Sequence, residues 1–327
     1  MSSLLTNASA MTALQTLTAT NKNLAGTQNR ISTGMRVSTA SDNAAYWSIA
    51  TTMKSDNAAL SAVKDAIGLG AATIDTMYTA LDTTKEIVTE IKKKLVAARD
   101  AGVDRAKVQT EITDLQNQLK ASASSAVFNG ENWLSVDSGD DAYNATRAVV
   151  ASFSRAGGVV TIDKIDIDIS QFHLFDSDGT GVGLFDKALT GVDTSATGVN
   201  ITNRAGATPD DNTNGTSIFS FDISGVTNSA DDLAALETLT AGVDEVLNSL
   251  TDSISYLGSV KNRVDIQNDF VSALSDAITR GIGQLVDANM EEESTKLQAL
   301  QVQQQLGIQA LSIANSSMQN VLSLFRG

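Results

Sequence analysis

The sequence predicts a mainly α-helical protein with a β-rich insert in its middle. Near both chain ends, apolar residues recur at alternating steps of three and four, which is typical of helices in coiled coils and bundles. The only proline, Pro209, lies between these two stretches, so neither helical pattern is broken by a proline ring. Between about 136 and 230, glycine, aspartate, serine and threonine become frequent, and short alternating runs replace the heptads.

The two long stripes predict a bundle of three helices. The first stripe begins at Leu60 and stops at a break, Ala101-Gly102, after which a second helix runs to about Ala126. The second stripe, from Val243 to Leu285, repeats the heptad register in the C-terminal half. Packing these stripes together brings the two ends of the chain side by side and leaves the middle as an insert. The residues that we expect in this bundle seam are Leu60, Ile67, Ile74, Leu81, Val88, Leu95, Leu247, Ile254, Leu257, Val264, Val271 and Ile278.

Each end of the chain carries a further stripe that is thin and diluted by polar residues. The stripes consist of Leu4, Met11, Leu14, Leu17, Leu24 and Ile31 at the front, and of Leu297, Leu300, Leu311, Met318, Leu322 and Phe325 at the back. Ordering a backbone costs about 1 to 2 kcal/mol per residue, which one thin stripe hardly offsets. We therefore expect the ends to be disordered in the monomer and to fold when many copies pack them into a common core. The alternative is an ordinary intramolecular coiled coil with frayed ends.

The middle of the chain is expected to form a small β-containing domain. Candidate strands are 148–153, 159–169, 171–175 and 217–223, and 190–215 is expected to be a loop. Before the insert, Phe128-Asn129-Gly130 predicts a tight turn. The expected division is into terminal helices (1–43 and 288–327), a bundle with a β-turn or hairpin (44–135 and 231–287), and a variable outer domain (136–230).

Composition argues against catalysis, cofactors and nucleic acid. The chain has no cysteine, one histidine (His173) and a net charge of −15. Thiolate sites are therefore excluded, a histidine pair for zinc is excluded, and phosphate backbones would be repelled. The segment from Asp176 opens like a calcium loop but has Lys187 where a bidentate glutamate is needed. Glu291-Glu292-Glu293 is expected to be a solvated or subunit-facing patch. We predict a protein that is not an enzyme, with no cofactor.

The N-terminus lacks the charged region, continuous apolar core and cleavage site of a secretory signal peptide. No stretch approaches the roughly 20 consecutive apolar residues of a membrane span. We therefore expect no membrane partner.

Both ends of the sequence resemble bacterial flagellins, and in particular those of rhizobia and related alphaproteobacteria. Residues 29–50, NRISTGMRVSTASDNAAYWSIA, resemble the N-terminal signature of that family. Residues 305–326, QLGIQALSIANSSMQNVLSLFR, resemble its terminal signature, and the Phe128-Asn129-Gly130 turn also has a counterpart there.

The resemblance implies a structural subunit that polymerises into the extracellular filament of a bacterial flagellum for swimming motility. It implies an inner tube of terminal helices, a wall of bundle helices, an outward-facing insert, and unfolded export by the flagellar type III apparatus. Expected partners are other copies of the chain, alone or with sibling flagellins, an export chaperone at residues 297–325, and the filament cap and hook-filament junction proteins. Alternatives are a junction protein, an enzyme displayed on a filament, and a generic coiled-coil scaffold.

Two departures from the family pattern concern recognition by hosts. Many flagellins carry Gln-Arg-Val-Arg-Glu-Leu, the segment that an animal innate immune receptor recognises. This chain has residues 85–90 there, so that Glu86 and Val88 replace the two arginines. In the segment read by the plant receptor, Asn43 replaces an aspartate, and Tyr46 and Trp47 stand where a glycine-led pair is usual. We predict weak engagement of the animal receptor, and the bulky rings also argue against recognition by the plant receptor.

Overall fold

A computed structural model of the chain describes residues 7–140, 143–156, 159–177, 183–189, 200–203 and 216–324, without the side chains of 156 and 318–324. Its helices are α1 (Ala8–Thr33), α2 (Ala44–Ala98), α3 (Arg105–Ser125), α4 (Ala230–Val286) and α5 (Met290–Leu324). Its strands are β1 (Ser135–Val136), β2 (Thr146–Ala156), β3 (Val159–Asp168), β4 (Phe175–Asp176), β5 (Thr202–Asn203) and β6 (Phe221–Asp222). The predicted class, mainly helical with helices in both end regions and a strand-containing middle region along the chain, is confirmed.

The helices begin where a polar side chain can accept from the free N–H groups of the first turn. The side-chain oxygens of Asn7, Asn43, Asp104 and Asn289 accept hydrogen bonds from the backbone at the starts of α1, α2, α3 and α5. Capping of this kind stabilises a helix by about 1 kcal/mol. The sequence therefore marks the start of each of these helices.

The chain divides into two compact units, Met1–Ala59 with Ala273–Gly327, and Leu60–Ser272. In the first unit, α1 packs against α5. The connectors next to these helices are joined by an antiparallel bridge between Met35 and Asp287. Ala288 N–H donates to Gly34 O at 2.9 Å, and Val286 O accepts from the N–H groups of Arg36 and Val37. The connector between α1 and α2 and the connector between α4 and α5 are thus joined by backbone hydrogen bonds.

The second unit contains the three-helix bundle. Lys92 pairs with Asp244 (2.6 Å) and Lys261 with Asp75 (2.5 Å), which links α2 to α4. Lys94 pairs with Glu111 at 2.5 Å, which links α2 to α3. The break predicted at Ala101-Gly102 lies between α2 and α3 as expected.

One well-formed hairpin supplies most of the β structure. Strands β2 and β3 pair antiparallel from Thr146 opposite Asp168 to Ala156 opposite Val159, with a bulge near Ser152. Ile165 and Ile167 are buried while Asp163 and Asp166 are exposed, as a half-buried strand requires. The strands predicted over 148–153 and 159–169 are confirmed, each within a residue or a few of its bounds.

Two other strand predictions are wrong. Over 171–175 the chain forms the end of a 3-10 turn, because the Asp168 side chain accepts from Ser170 N–H and caps it. Over 217–223 only β6 is extended, because the Ser220 hydroxyl accepts from Ser217 N–H and bends the chain. In both places a short polar side chain competes with strand pairing for the backbone. The predicted loop 190–215 lies outside the described residues except at 200–203.

The turn at Phe128-Asn129-Gly130 is confirmed. Asn129 and Gly130 have φ angles of 52° and 82°, and Phe128 and Glu131 exchange two backbone hydrogen bonds of 3.0 Å. Both central residues are left-handed, which is the conformation that an Asn-Gly hairpin turn needs.

Candidate assembly surface

The end helices α1 and α5 meet along a narrow seam in which most side chains are small or only half-buried. Thr20, Thr27 and Leu300 are buried, and Leu17 packs over Gly307, where the absence of a side chain leaves room for it. The remaining seam positions, spaced three or four apart, are Ala10, Ala13, Leu24, Ile31, Leu297, Gln304, Leu311 and Ala314. The pair therefore has one thin apolar contact over its whole length.

Three polar contacts fix the register of this seam. Near one end Asn7 Nδ2 donates to Ala314 O at 3.1 Å, and farther along Gln304 Nε2 donates to Asn21 Oδ1 at 2.8 Å. Near the other end the Arg30 guanidinium lies 3.1 Å from the Glu293 carboxylate, whose side chain is almost fully buried. A polar pair inside an apolar seam specifies alignment more than it adds stability.

The outer faces of the same two helices carry large apolar side chains that contact little in the chain. On α1, Met11 is 64% exposed, and it lines a broad groove with Leu14 and Lys22. On α5, Ile313 is 68% exposed. Among the described side chains of α5, other large exposed apolar residues are Met290, Val302, Leu306 and Ile308. Apolar residues on both sides of a helix are typical of a helix covered on both sides.

The structure divides the residues predicted for the chain ends into two groups. Leu17, Leu24, Ile31, Leu297, Leu300 and Leu311 lie in the α1–α5 seam. Met11 and Leu14 lie on the outer face of α1. Leu4 and Phe325 lie outside the described residues, as do the side chains of Met318 and Leu322.

The predicted bundle seam is brought together over most of its length. Leu60, Ile67, Ile74, Leu81, Val88, Leu95, Ile254, Leu257, Val264 and Val271 are buried. Leu247 and Ile278 are half-buried. At one turn of α4 the more deeply buried side chain is Val246 and not the predicted Leu247, so the stripe there is displaced by one residue from the predicted one.

The residues that depart from the family's receptor segments have different environments. Glu86 is exposed, whereas Val88 lies inside the bundle. Asn43 caps α2, and Tyr46 and Trp47 project from the first turn of that helix with about two fifths of their surface exposed. Asp42 accepts from the backbone of Thr39 and Ser38, which lowers the pKa of its carboxyl group.

The surroundings of His173 and of the acidic side chains bear on whether the chain could bind a metal ion. The His173 ring is buried, with Nδ1 3.2 Å from Ile169 O. Within the described ranges, no cluster of three or more histidine, aspartate or glutamate side chains could hold a metal ion. Part of the calcium-like segment, 178–182, lies outside these ranges. In the described part of the chain, no helix is long and apolar enough to cross a membrane.

Comparison with known proteins identifies the family of this chain. Residues 4–138 match the family described as "Bacterial flagellin N-terminal helical region", and residues 240–325 match "Bacterial flagellin C-terminal helical region". The chain belongs to the bacterial flagellin family. It is 48% identical to Flagellin C and 44% identical to Flagellin A of Rhizobium meliloti (strain 1021). It is 45% identical to a flagellin of Brucella melitensis biotype 1, and in all three comparisons the whole of both chains is covered.

Membership of this family establishes what the chain does in outline. It is a structural subunit, not an enzyme, and it polymerises with itself into the extracellular flagellar filament. The seam between α1 and α5 and the exposed outer faces of these helices are therefore surfaces of a polymer-forming subunit.

The sequence prediction missed the ion pair between Arg30 and Glu293. The sequence predicts a solvated or subunit-facing patch for Glu293 and its two neighbours, but Glu293 is buried, and of the three only Glu291 and Glu292 are exposed. A signal was available, because Glu293 precedes Leu297 and Leu300 by four and seven residues and so occupies the same stripe. Because glutamate is charged, a search for apolar residues alone did not include Glu293 in the seam.

Proposed function

We propose that the outer faces of α1 and α5 form the contacts between neighbouring copies at the filament core. The observation that supports this most directly is the double-sided character of the two helices. Leu17 and Leu300 face the seam within the chain, while Met11, Leu14 and Ile313 face outward. Burying a large apolar side chain is worth about 1.5 to 3 kcal/mol, which gives neighbouring copies a reason to cover this face.

A comparison of the entropy cost of ordering with the apolar contact in the seam supports folding of the ends on assembly. The α1–α5 pair comprises helices of 26 and 35 residues held by one thin seam. The entropy cost of ordering, about 1 to 2 kcal/mol per residue, exceeds what that seam supplies, whereas a second layer of contacts on the outer face adds to it. In this proposal the terminal helices (1–43 and 288–327) make the core, the bundle (44–135 and 231–287) the wall, and 136–230 the outer surface.

We extend the proposal to export of the chain and to its binding by a chaperone before assembly, because both involve the chain ends. The chain leaves the cell unfolded through the flagellar type III apparatus, which suits a sequence without cysteine and with ends that fold last. Residues 297–325 are held by an export chaperone that covers the apolar stripe in a groove. After export the subunit meets the filament cap, and the first copies meet the junction protein.

Seeded polymerisation of the purified full-length chain tests the core proposal. Leu14→Lys and Ile313→Lys place a charge on the outer faces, where neither side chain supports the fold of the chain itself. Val159→Lys is the control, because Val159 is 64% exposed but belongs to the β2–β3 hairpin. We expect the control to form filaments after seeding with sheared filaments, and the two core variants to remain in the supernatant. Normal filaments from Leu14→Lys and Ile313→Lys would contradict the proposal.

A deletion of 1–43 and 288–327 tests the wider claim that the ends are the assembly element. We expect this shortened chain to retain the helical circular dichroism of the bundle and to stay monomeric with seeds. The full-length monomer is expected to gain helix signal on polymerisation. Equal helix content before and after polymerisation would contradict folding of the ends on assembly.

A further inference from the structure

The second unit, Leu60–Ser272, carries two apolar features that nothing in the described part of the chain covers. The first is on α4, where Ile266 and Phe270 are 68% and 56% exposed and lie one turn apart. We call these two residues the α4 knob. Adjacent large apolar residues that are exposed in this way mark an interaction surface.

The second feature is a groove beside α2. It is formed by α2 at Leu69 and Gly70, by the turn at Phe128, by Trp133, and by β2 at Val149, and its volume is about 240 Å3. Leu69 stands at the rim and is 49% exposed. Because Gly70 has no side chain, Val149 lies directly against the α2 backbone and the floor of the groove is apolar. We call this feature the α2 groove.

The knob and the groove lie at the same height along the bundle. Lys64 Nζ donates to Ser272 Oγ at 2.8 Å, and Lys261 pairs with Asp75. These two contacts align α2 and α4 as antiparallel neighbours. Leu69 falls midway between Lys64 and Asp75, and the α4 knob falls between Lys261 and Ser272, at the corresponding level.

The two features point in different directions. On α2, Ile67 is buried in the seam, and Leu69, two residues later, is rotated by about 200° around the helix axis. On α4, Val264 is buried in the seam, and Ile266 is rotated by the same amount. Leu69 at the rim of the groove and Ile266 of the knob therefore both point away from the shared seam, on opposite sides of the helix pair. One copy of the chain cannot join them, but two copies can.

We propose that the α4 knob of one copy seats in the α2 groove of a neighbouring copy in the filament. This proposal rests on self-polymerisation of the chain and concerns the bundle, not the end helices. A contact between two different surfaces of identical subunits is heterologous, and it repeats from copy to copy to give an open helical polymer unless the rotation closes a ring. A knob and a groove on different sides of one bundle have this character.

The charges beside the two features are complementary. Arg263 is exposed on the same face of α4 as the knob, and it forms no ion pair with any residue that the structure describes. Glu131 lines the groove, where one carboxylate oxygen accepts from Trp133 Nε1 at 2.9 Å and the other lies 4.0 Å from Arg147. Glu131 thus offers an acceptor to Arg263 of the neighbouring copy when the knob is seated.

The size of the contact explains why it belongs to the polymer. Specific stable interfaces bury about 1,200 to 2,000 Å2 in total, which two side chains and one ion pair do not approach. The contact forms where self-polymerisation already holds copies close together and raises their effective concentration. The knob and groove then set how neighbouring bundles align.

Disulfide formation between single-cysteine chains tests the proposal, because the natural chain has no cysteine to interfere. Full-length Leu69→Cys and Phe270→Cys chains are mixed, polymerised on sheared seeds and oxidised, so that a bond between the two positions can only join different copies. We expect covalent dimers in filaments of the mixture and none in the unpolymerised mixture. The matched control replaces Leu69→Cys by Val96→Cys, an equally exposed position on α2.

The proposal is overturned if filaments form but the Leu69→Cys mixture gives no more dimer than the Val96→Cys mixture. A charge exchange gives a second test that does not depend on cysteine chains polymerising. We expect Arg263→Glu to lower the melting temperature of filaments and Glu131→Arg in the same chain to restore it. A double variant no more stable than the weaker single variant also overturns the proposal. Sedimentation of unmodified chains reports polymerisation itself, so a failure of assembly is distinguished from a failure of this contact.

Discussion

Arg30 on α1 and Glu293 on α5 form the only ion pair between these helices among the described residues, with 3.1 Å between guanidinium and carboxylate. Glu293 is buried, and its second carboxylate oxygen has no hydrogen-bond partner among the residues that the structure describes, whereas Arg30 keeps about a third of its side chain exposed. Most of the other side chains in the α1–α5 seam are apolar or small. The position of the ion pair fixes how far α5 can slide along α1.

Loss of Arg30 is expected to weaken the α1–α5 pair more than loss of both charges. Arg30→Leu leaves a buried carboxylate without its partner, which costs several kcal/mol in a closed interior and about 1 to 3 kcal/mol where one partner is partly exposed. Arg30→Leu combined with Glu293→Leu removes the unpaired charge and is expected to recover most of the loss. Thermal melting of filaments of the natural chain and of the two variants measures this, and a double variant less stable than Arg30→Leu would contradict it.

Gly70 and Gly68 on α2 are expected to respond oppositely to the same substitution. A methyl group at Gly70 would overlap Val149 of β2, while one at Gly68 would meet nothing within 4 Å. We predict that Gly70→Ala destabilises the second unit by about 1 to 3 kcal/mol through overpacking. Gly68→Ala is expected to stabilise it by up to about 1 kcal/mol, since alanine is the better helix former.

Chemical denaturation of the monomer, followed by circular dichroism, measures both changes at Gly68 and Gly70. Val149→Ala in the Gly70→Ala background makes room for the methyl group and is expected to recover part of the lost stability. Equal effects of the two glycine substitutions would show that β2 does not pack on α2 as described.

The helical part of the fold was predictable because its signal is long and periodic. Stripes such as Leu60 to Leu95 repeat over many turns, so an error at one position does not alter the outcome. The hairpin of β2 and β3 was predictable for the same reason, since Asp163 to Ile167 alternates clearly. The turn at Asn129-Gly130 carries its own conformational signature.

The remaining errors come from side chains that act singly. Asp168 and Ser220 bend the backbone by accepting hydrogen bonds from N–H groups two or three residues away. The sequence of the neighbouring residues nevertheless has the pattern of a strand. Glu293 joins a seam because Arg30, 263 residues away in sequence, offsets its charge. Local pattern carries no information about such a distant partner, so apolar seam positions such as Leu17 and Leu300 were predictable from the sequence and Glu293 was not.

The connector between α1 and α2 is expected to depend on Arg36. Its guanidinium donates to the carbonyl groups of Leu285 (3.0 Å) and Gln284 (3.4 Å), which lie in the last turn of α4 and lack helical partners. We predict that Arg36→Ala loosens this connector and speeds its cleavage by a protease in assembled filaments, while Arg280→Ala, an exposed arginine of α4 one turn earlier, does not. Equal cleavage rates in Arg36→Ala and the natural chain would contradict this role.

Asp232 is expected to stabilise the start of α4 in a manner that depends on pH. Its side chain is fully buried, and burial alone would raise its pKa. Hydrogen bonds from Thr227 and Asn200 outweigh burial: the Thr227 hydroxyl and N–H donate at 2.5 and 2.7 Å, and Asn200 N–H donates at 2.8 Å. These bonds hold the pKa of Asp232 well below its usual range.

A group whose pKa is depressed in the folded state contributes stability above its unfolded pKa, about 3.9 for aspartate, and loses it as the pH falls below that value. Asp232→Asn is therefore expected to lower the free energy of unfolding at pH 7, and the difference from the natural chain should shrink as the pH falls from about 5 to 3. Asp231→Asn, at an exposed position of the same helical turn, is the control and should show a small difference. Urea denaturation of the full-length monomer at several pH values measures both. A gap for Asp232→Asn that stays constant down to pH 3 would show that its charge is not what holds Thr227 and Asn200 to α4.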